Sequence, residues 1–354
     1  MADNKRDIIA IGSEIGRGHP QYLDSVLYYL KDVPRFSASG LGWSLGRFFY
    51  RMGGKGGFFT CFYNLSRARR RPGKLELFLL KGGFVRRIAD HKGVVLVDHP
   101  LLAHLLSPQF QVAYLHGEIA APPIAAVVNA WRIFVPIEKT AKCLLKAGVR
   151  QEALLVTGLV IEPELIPVAE TSFLSRLKRF QSKEPLNVAF FTSGAYPKPH
   201  LKAIALAASS ARQVGHNVII FAGVDRRRAR FLPQALTFNS RQEENQKTSE
   251  LFSQIDLFVA AAHERTNWAV GLGLPMFALL PHIGPFAKEN FEFALNQGVC
   301  LPLTRAEEFG STLSALRQNG KLREMAYAGW QKHPITGAQV IANFLLSCEA
   351  TQEG

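Results

Sequence analysis

The chain has 354 residues, of which 47% are hydrophobic and 20% are charged, and its formal net charge is +14 at pH 7. This composition excludes an intrinsically disordered chain, and the length favours two domains over a single core. The excess of basic residues predicts an acidic partner, namely nucleic acid, anionic lipid or a phosphorylated substrate.

The spacing of the cysteines and the lengths of the apolar runs indicate the compartment in which the protein is expected. Cys61, Cys143, Cys300 and Cys348 are scattered, with no CxxC pair and no histidine at a zinc-ligand spacing. This pattern predicts a reducing compartment and no metal site. The N-terminus MADNKRDIIAIG is too polar for a signal peptide, and no apolar run reaches the roughly 18 residues that a membrane span needs. We therefore expect a cytoplasmic protein.

The first half of the chain alternates between strand and helix patterns. Strands are predicted at residues 7–12, 93–98, 111–115, 132–135 and 153–157, and helices at 21–30, at 101–106, from the HGEIAAPP turn to 129, and at 140–147. Such alternation is typical of a doubly wound α/β sheet, whose functional loops lie at the carboxyl ends of the strands.

The loop after the first predicted strand carries Gly12, Gly16, Gly18 and His19. Glycines at this position let backbone amides approach a ligand, and a helix N-terminus keeps a histidine near neutral charge. The spacing is not GxGxxG, and no acidic residue follows a second strand about 20 residues further on, so NAD is disfavoured. His19 is interpreted as a catalytic or substrate-binding residue, with a helix cap as the alternative.

Two further pairs of polar residues follow predicted strands. Asp98 and His99 end one strand, and His116 and Glu118 follow the next. Because the carboxyl ends of parallel strands share one edge, we expect these side chains to converge with His19 on one cleft. An acid beside a neutral histidine is what a general base needs to deprotonate a hydroxyl. Each residue singly also fits a hydrogen-bonded structural role.

Positive charge is concentrated between residues 47 and 87, where eleven basic residues face a single acid, Glu76. Aromatic residues and glycines are interleaved with them, and phenylalanine pairs occur at 48–49 and 58–59. Such a segment fits an interfacial membrane surface or a stacking surface for single-stranded nucleic acid, unless its aromatics belong to the core. The phenylalanine pairs and the lack of a nucleic-acid fold signature favour residues 41–74 as a surface for anionic membranes and disfavour nucleic acid.

The α/β pattern restarts after a proline-rich stretch at 161–167, which we interpret as an interdomain hinge. Beyond it, a basic helix is predicted at about 171–181, strands at 187–192, 217–222, 255–262 and 276–280, helices at 200–214 and 337–348, and a polar loop at 239–246. The architecture is therefore duplicated. Ligands of such proteins usually lie in the cleft between the two sheets.

The segment IDLFVAAAHERTNWAVGLGLP at 255–275 predicts a buried strand, a polar turn and a helix that ends at Gly273. A turn of this kind leaves backbone N–H groups free at the edge of a sheet. With Arg265 in it, the turn predicts a phosphate or diphosphate site, unless it is merely solvated. No P-loop and no DxD metal motif occurs, so a leaving group would be stabilised by the helix dipole and Arg265. The loops after the two preceding strands add Ser193, Gly194, Gly223 and Val224 as candidates to line the same site.

The pairing of the GRGH loop with a strand–turn–helix that ends in GLP resembles GT-B glycosyltransferases. The resemblance is greatest to the branch that makes peptidoglycan lipid II and monogalactosyldiacylglycerol. Further matching positions are His99-Pro100, Val156-Thr157-Gly158, and Asn290 with Gly298. His116-Gly117-Glu118 resembles the His-Glu motif of the lipid II enzymes, with one inserted glycine. The resemblance spans both domains. It implies a nucleotide-sugar donor in the C-terminal domain, a lipid or other hydroxyl acceptor in the N-terminal domain, and inversion at the anomeric carbon.

The resemblance also implies roles for individual residues. His19 is the candidate base, with Asp98 or Glu118 as the alternative, and Gly16, Gly18, His99 and His116 belong to the acceptor site. The candidate donor-binding residues are Ser193, Gly194, Gly223, Val224, His263, Arg265, Thr266, Trp268, Glu289 and Asn290. Two positions depart from the family. Trp268 replaces a glutamate that grips the donor ribose, and PFAKE at 285–289 replaces the pair that contacts the donor sugar.

We therefore expect a GT-B fold, with two doubly wound Rossmann-like α/β domains that face a central cleft. The predicted divisions are an acceptor-binding domain at 1–160, a hinge and linking helix at 161–185, a nucleotide-sugar-binding domain at 186–335, and a returning helix at 336–354. The predicted function is metal-independent and cofactor-free sugar transfer to a lipid-like acceptor, by a protein peripherally bound to the inner membrane. The alternatives are a nucleotide-sugar epimerase or hydrolase of the same fold, and a non-catalytic relic that binds a ligand or serves as a membrane scaffold.

Overall fold

A computed structural model describes residues 8–53, 57–68, 71–194, 197–224, 226 and 228–350. It contains two six-stranded sheets, both wholly parallel and flanked by helices. The predicted two-domain, doubly wound α/β architecture is therefore confirmed. The predicted strand start at Asp7 and the basic residues Lys55, Arg69 and Arg70 lie outside the described residues.

The first half builds one sheet from six short strands. These are β1 (Ile8–Gly12), β2 (Arg35–Ser37), β3 (Val94–Val97), β4 (Gln111–Leu115), β5 (Arg132–Val135) and β6 (Leu154–Val156), in the spatial order β2-β1-β3-β4-β5-β6. Its helices are α1 (Gly18–Leu27), α2 (Leu41–Gly53), α3 (Gly57–Ala68), α4 (Lys74–Leu80), α5 (Phe84–Arg87), α6 (Pro100–Leu106) and α7 (Glu138–Lys146).

The second half follows after helix α8 (Ala169–Gln181). Its strands are β7 (Asn187–Phe191), β8 (Asn217–Gly223), β9 (Leu236–Thr237), β10 (Leu257–Ala260), β11 (Met276–Ala278) and β12 (Cys300–Pro302), in the order β12-β11-β10-β7-β8-β9. Its helices are α9 (Lys198–Gln213), α10 (Arg241–Phe252), α11 (Thr266–Leu272), α12 (Ala287–Asn296), α13 (Phe309–Gln318), α14 (Lys321–Gly329) and α15 (Gly337–Ala350).

The central strands are continuous apolar runs because both faces of each sheet are covered. All four residues of β3 (VVLV) and of β10 (LFVA) are buried, as expected of parallel strands with helices on either side. The last helix, α15, lies against α1, where Ile341 and Leu345 share a core cluster with Leu23. Helix α15, which follows the second sheet, therefore packs against the first half.

Two local predictions are wrong, and one group of helices was not predicted. The described part of residues 41–87 contains four helices, which the many glycines concealed. The polar stretch at 239–246 is not a loop but largely belongs to α10, a helix with so few apolar residues (RQEENQKTSELF) that no apolar period marks it. After the HGEIAAPP turn, the only helical element before residue 129 is a single 3₁₀ turn, Pro123–Ala125.

Candidate active site

The two halves meet around a cavity of about 80 Å³ at the carboxyl ends of both sheets, which we call the inner cavity. The inner cavity is lined from both halves, by residues that follow β1 and β4 and by residues that follow β7 and β10. Nine predicted site residues line it, namely Gly16, Gly18, His19, His99, Glu118, Ser193, Gly194, His263 and Arg265. Their predicted roles stay predictions, but the convergence of both halves on one cavity is observed.

His19 stands at the start of α1 and faces the aromatic wall of the inner cavity. Its ring centroid lies 4.7 Å from that of His99 and 5.4 Å from that of Phe286. Burial, with repulsion from the other histidines nearby, lowers the pKa of His19 to about 3, so the ring is neutral at pH 7. Its Nδ1 is buried and has no hydrogen-bond partner among the described residues. A neutral imidazole with an unpaired nitrogen is available to a substrate hydroxyl.

Asp98, the alternative base, does not line the inner cavity. Its side chain is fully buried and accepts hydrogen bonds from Ser13, one from the backbone N–H at 2.9 Å and one from the hydroxyl at 3.3 Å. Burial raises the pKa of Asp98 to about 7, although the bonds from Ser13 oppose this shift. The carboxyl group therefore holds the loop between β1 and α1 in place and does not face a substrate.

The loop after β4 carries Glu118 and is held by two asparagines of the second half. Asn290 Nδ2 donates to Glu118 Oε2 at 2.6 Å, and Asn290 Oδ1 accepts from the backbone N–H of Ala120 at 2.8 Å. Asn267 Nδ2 donates to the carbonyl of Gly117 at 3.3 Å. Asn290 was predicted to contact the donor sugar, but it is buried and joins the two halves instead.

Glu118 itself lines the inner cavity and is largely protonated at neutral pH. Burial, with a smaller contribution from the Glu264 carboxylate, raises the pKa of Glu118 to about 8. The glycine that precedes it has a packing reason, because a Cβ at Gly117 would lie 2.4 Å from the ring of Tyr22. The inserted glycine of the HGE sequence thus lets α1 pack flat against this loop.

The two other histidines of the predicted acceptor site have structural bonds. His99 lines the inner cavity and also caps α6, where its Nδ1 accepts from the backbone N–H of Leu101 at 3.1 Å. His116 does not line it. Its Nε2 donates to the carbonyl of Ala120 at 2.9 Å, and its Nδ1 accepts from the Tyr114 hydroxyl at 3.0 Å. Both nitrogens of His116 are therefore occupied.

Arg265 reaches the inner cavity, but its charge is already balanced. Its guanidinium pairs with Glu264 at 3.0 Å and with Glu244 of α10 at 3.5 Å, and it lies 4.1 Å over the ring of Phe191. Arg17 of the GRGH loop pairs with the same two carboxylates, Glu244 and Glu264. Two arginines and two glutamates thus form a neutral, buried cluster between the halves. Arg265 was predicted to bind a diphosphate, but its positive charge is already balanced by these glutamates.

Thr266 and Trp268 lie in the core and do not line the inner cavity. Thr266 is fully buried in the first turn of α11. The indole Nε1 of Trp268 donates to Glu162 at 2.8 Å, and the ring lies edge-on to Phe191 and Phe258. Trp268 therefore cannot stack on a nucleotide base in this structure, because its ring is buried against these phenylalanines.

The remaining predicted donor residues lie away from the inner cavity. Gly223 and Val224 line a neighbouring cavity of about 210 Å³, which we call the outer cavity. Glu289 is exposed at the start of α12 and lines neither of these two cavities. Among the described residues, no group of three or more His, Cys, Asp or Glu side chains could hold a metal ion.

Helices α2, α3 and α4 form a surface that we call the platform, comprising the described part of residues 41–80. Trp43 anchors it, since its ring is fully buried and its Nε1 donates to the carbonyl of Leu80 at 2.9 Å. Many large apolar side chains are exposed on the platform, and Phe58, for example, is 77% exposed. The others are Leu41, Leu45, Phe48, Phe49, Phe59, Phe62, Leu65, Leu75, Phe78 and Leu79. In the described part of the chain, no helix is long and apolar enough to cross a membrane.

The platform opens directly onto the inner cavity. Gly46 and Tyr50 of α2 and Tyr63 of α3 line the same cavity as His19. Sequence reasoning missed these tyrosines because the aromatics of 41–74 were assigned collectively to a surface. It also missed Glu244 and Glu264. Glu244 lay in the stretch interpreted as a loop, and only the adjacent Glu264-Arg265 dipeptide signalled an ion pair.

Comparisons with known proteins identify the fold. No protein-family profile matches the chain, and no curated protein matches it. Among solved structures, the chain is similar to UDP-GlcNAc 2-epimerase from Neisseria meningitidis bound to UDP-GlcNAc, at 13% identity over 96% of this chain and 99% of that one, with a TM-score of 0.63.

Two further solved structures extend the comparison. UDP-GlcNAc 2-epimerase from Methanocaldococcus jannaschii, in complex with UDP-GlcNAc and UDP, matches at 11% identity over 96% and 99% of the two chains, with a TM-score of 0.54. A UDP-glucosyltransferase from Polygonum tinctorium, capable of glucosylating indoxyl, matches at 11% identity over 96% and 97%, with a TM-score of 0.51. These matches, which cover 96% of the chain, confirm the expected GT-B fold.

Proposed function

We propose that this chain is an inverting, metal-independent glycosyltransferase that moves a sugar from a nucleotide-sugar donor to a lipid-like hydroxyl acceptor at the cytoplasmic face of the membrane. One observation carries the proposal. Tyr50 and Tyr63 of the platform line the same cavity as His19. An acceptor whose apolar part rests on the platform can therefore present its hydroxyl to His19 without leaving the membrane surface.

The exposed apolar side chains of the platform favour a membrane-binding surface over a role in the protein core. Phe58 is 77% exposed, as noted, and Leu75 and Phe78 are each 72% exposed. Exposed Arg51 and Lys74 lie on the same helices. Phenylalanines beside basic residues bind interfacially by burying apolar area below the headgroups while the cations contact anionic lipid.

In the proposed reaction, one bond forms at the anomeric carbon, one bond breaks there, and one proton is transferred. The acceptor hydroxyl oxygen attacks the anomeric carbon, the bond from that carbon to the diphosphate oxygen breaks, and the nucleoside diphosphate leaves with the electron pair. His19 accepts the hydroxyl proton, since its ring is neutral and its Nδ1 is unpaired among the described residues. The hydroxyl attacks the face of the anomeric carbon opposite the departing diphosphate, so the anomeric centre is inverted.

Glu118 favours a second candidate, a nucleotide-sugar epimerase or hydrolase. Its carboxyl group lines the inner cavity, and its pKa of about 8 keeps it largely protonated at neutral pH. A protonated acid that lines the same cavity as neutral His19 forms with it a suitable pair for moving a proton within one substrate. Two of the similar structures are UDP-GlcNAc 2-epimerases, which share the fold. This activity needs no membrane surface.

A donor panel with and without vesicles tests the proposal. The protein is incubated with UDP-, GDP- and TDP-sugars, with and without vesicles of phosphatidylglycerol and diacylglycerol, and both nucleotide release and labelled lipid are measured. We expect label in the lipid fraction and nucleotide release that depends on vesicles. An altered sugar, or nucleotide release that is equal without vesicles, would contradict transfer and support the second candidate. If no nucleotide or nucleotide-sugar raises the melting temperature, both activities are excluded.

A further inference from the structure

The outer cavity lies between α2 and the carboxyl ends of β7 and β8. It is lined by Gly194 from the loop after β7 and by Gly223 at the end of β8. Its volume of about 210 Å³ exceeds that of the inner cavity. The two cavities adjoin, because both are lined by Gly16, Arg17, Tyr50 and Gly194. A ligand group in the outer cavity would therefore stand next to the reacting centre.

Four arginines line the outer cavity, against two glutamates. The arginines are Arg17, Arg47, Arg51 and Arg241, and the glutamates are Glu14 and Glu244. Arg17 pairs with Glu244. Arg241 pairs with Glu14 at 3.0 Å, and also with Asp24 at 3.2 Å. The acids thus balance two of the four cations, which leaves Arg47 and Arg51.

Arg47 and Arg51 have no acidic partner among the described residues. In the part of the chain that the structure describes, Arg47 Nη1 donates only to the carbonyls of Ala38 at 3.2 Å and Ser13 at 3.4 Å. Arg51 makes no hydrogen bond and no ion pair in the described part of the chain. The two residues are one helical turn apart on α2, where like charges four positions apart repel each other. An anion between them would relieve this repulsion.

We propose that the outer cavity is a phosphate site, in which Arg47 and Arg51 bind a phosphate or diphosphate ester. This inference rests on the proposed function and places the anion that the reaction requires. Guanidinium groups bind phosphate oxygens through paired, charge-assisted hydrogen bonds. Two uncompensated arginines match the double negative charge of a phosphate monoester or a diphosphate. Arg265 does not, because Glu264 and Glu244 already balance it.

The phosphate can belong to either substrate. It is the diphosphate of the nucleotide donor if the donor extends along β7 and β8, past Gly194 and Gly223. It is the headgroup phosphate of the lipid acceptor if the acceptor descends from α2 of the platform. The chemistry of the site is the same in both cases, and soluble probes separate them.

Calorimetric titration of the full chain with inorganic pyrophosphate tests the site. We expect Arg51→Gln and Arg47→Gln to weaken pyrophosphate binding about tenfold or more, since each removes a charged hydrogen-bond donor. Arg150→Gln is the matched control, because Arg150 is exposed and lines neither cavity. Arg51 makes no described bond that folding needs, so a loss of binding in Arg51→Gln, with an unchanged melting temperature, reports on the site alone.

Two further titrations identify the source of the phosphate. A larger loss for UDP than for glycerol 3-phosphate in Arg51→Gln assigns the site to the donor, and the reverse assigns it to the acceptor lipid. Either result supports the phosphate site. Equal pyrophosphate affinity in Arg47→Gln, Arg51→Gln and Arg150→Gln, or no binding to the unaltered protein, overturns it. If binding is lost in the variants but the protein transfers no sugar, the phosphate site stands and the proposed function fails.

Discussion

The inner cavity and the platform treat charge and apolar surface in opposite ways. Around the inner cavity, buried Arg265 and largely buried Arg17 are paired with Glu244 and Glu264. On the platform, phenylalanines are exposed to solvent, and Arg51 has no partner among the described residues. A buried charge has to be paired for the protein to fold, whereas an exposed cation costs little and stays available to a ligand.

This difference separates two kinds of effect. A change in the buried region should alter turnover or the free energy of unfolding, because its groups contact each other. A change on the platform should alter affinity for a partner and leave stability unchanged, because its groups contact mainly water. Variants on both sides can break or sharpen this division.

The largest effect is expected for His19→Ala. Removing the proton acceptor should lower kcat by about 10²–10⁴-fold while the affinity for the donor nucleotide changes little. Steady-state transfer assays and nucleotide titration measure the two quantities. His333→Ala is the matched control, because His333 lines neither the inner nor the outer cavity. Transfer at an undiminished rate in His19→Ala would remove His19 from the mechanism.

Truncation of Trp268 should have the largest effect on stability. Its ring packs against Phe191, Phe252 and Phe258, and its Nε1 satisfies buried Glu162. We expect Trp268→Ala to lower the free energy of unfolding by about 3–5 kcal/mol, as measured by urea denaturation. Phe58→Ala on the platform should change it by less than about 0.5 kcal/mol. Similar losses in both variants would contradict the division between the two regions.

The platform should instead determine membrane affinity. Phe58 and Phe62 stack at 6.3 Å between ring centroids and are both exposed. If each buries its ring in lipid, the double variant Phe58→Ser/Phe62→Ser loses about 3 kcal/mol of binding, or roughly 100-fold in vesicle partitioning. Flotation with phosphatidylglycerol vesicles measures this loss. The control Phe231→Ser removes an exposed phenylalanine of the second half and should float like the unaltered protein.

A pH-dependent effect on stability should distinguish Glu118. Burial raises the pKa of Glu118 to about 8, well above the value of about 4.3 in an unfolded chain. The folded state therefore binds the extra proton. Its stabilising contribution is complete below about pH 4 and is lost as pH rises through 8, with a slope of up to about 1.4 kcal/mol per pH unit.

Glu118→Gln should flatten the fall in the free energy of unfolding between pH 5 and pH 8. Asp98, whose pKa is about 7, should retain its own share of the slope. Urea titrations at several pH values give the comparison. An identical slope in Glu118→Gln and the unaltered protein would show that Glu118 ionises normally.

The sheets could be predicted from the sequence because their strands are buried on both faces. The predicted strands at 111–115 and 132–135 have the same bounds as β4 and β5. Placement at the carboxyl edges also brought His19, His99 and Glu118 to one cavity, since parallel topology alone determines that edge. It failed for Asp98 and His116, because hydrogen bonds to Ser13 and Ala120 turn their side chains elsewhere.

Charge pairing could not be predicted in the same way. Arg17 pairs with Glu244 and Glu264, which lie far along the chain from it. No local sequence pattern links these residues. The platform helices were hidden by glycines with packing reasons of their own. A Cβ at Gly42, for example, would lie 2.1 Å from the carbonyl oxygen of Leu79, so α2 and α4 cross only because that position has no side chain.

One glycine contact has a kinetic consequence. Gly194 of the second half lies so close to the first half that an added Cβ would be 3.2 Å from backbone atoms of Gly16 and Arg17. A ligand that spans both cavities must wait until these two loops separate. Its observed association rate should therefore rise with concentration and then level off at the rate at which the loops part. Gly194→Ala, whose Cβ would push the two loops apart by a few tenths of an ångström, should raise that plateau.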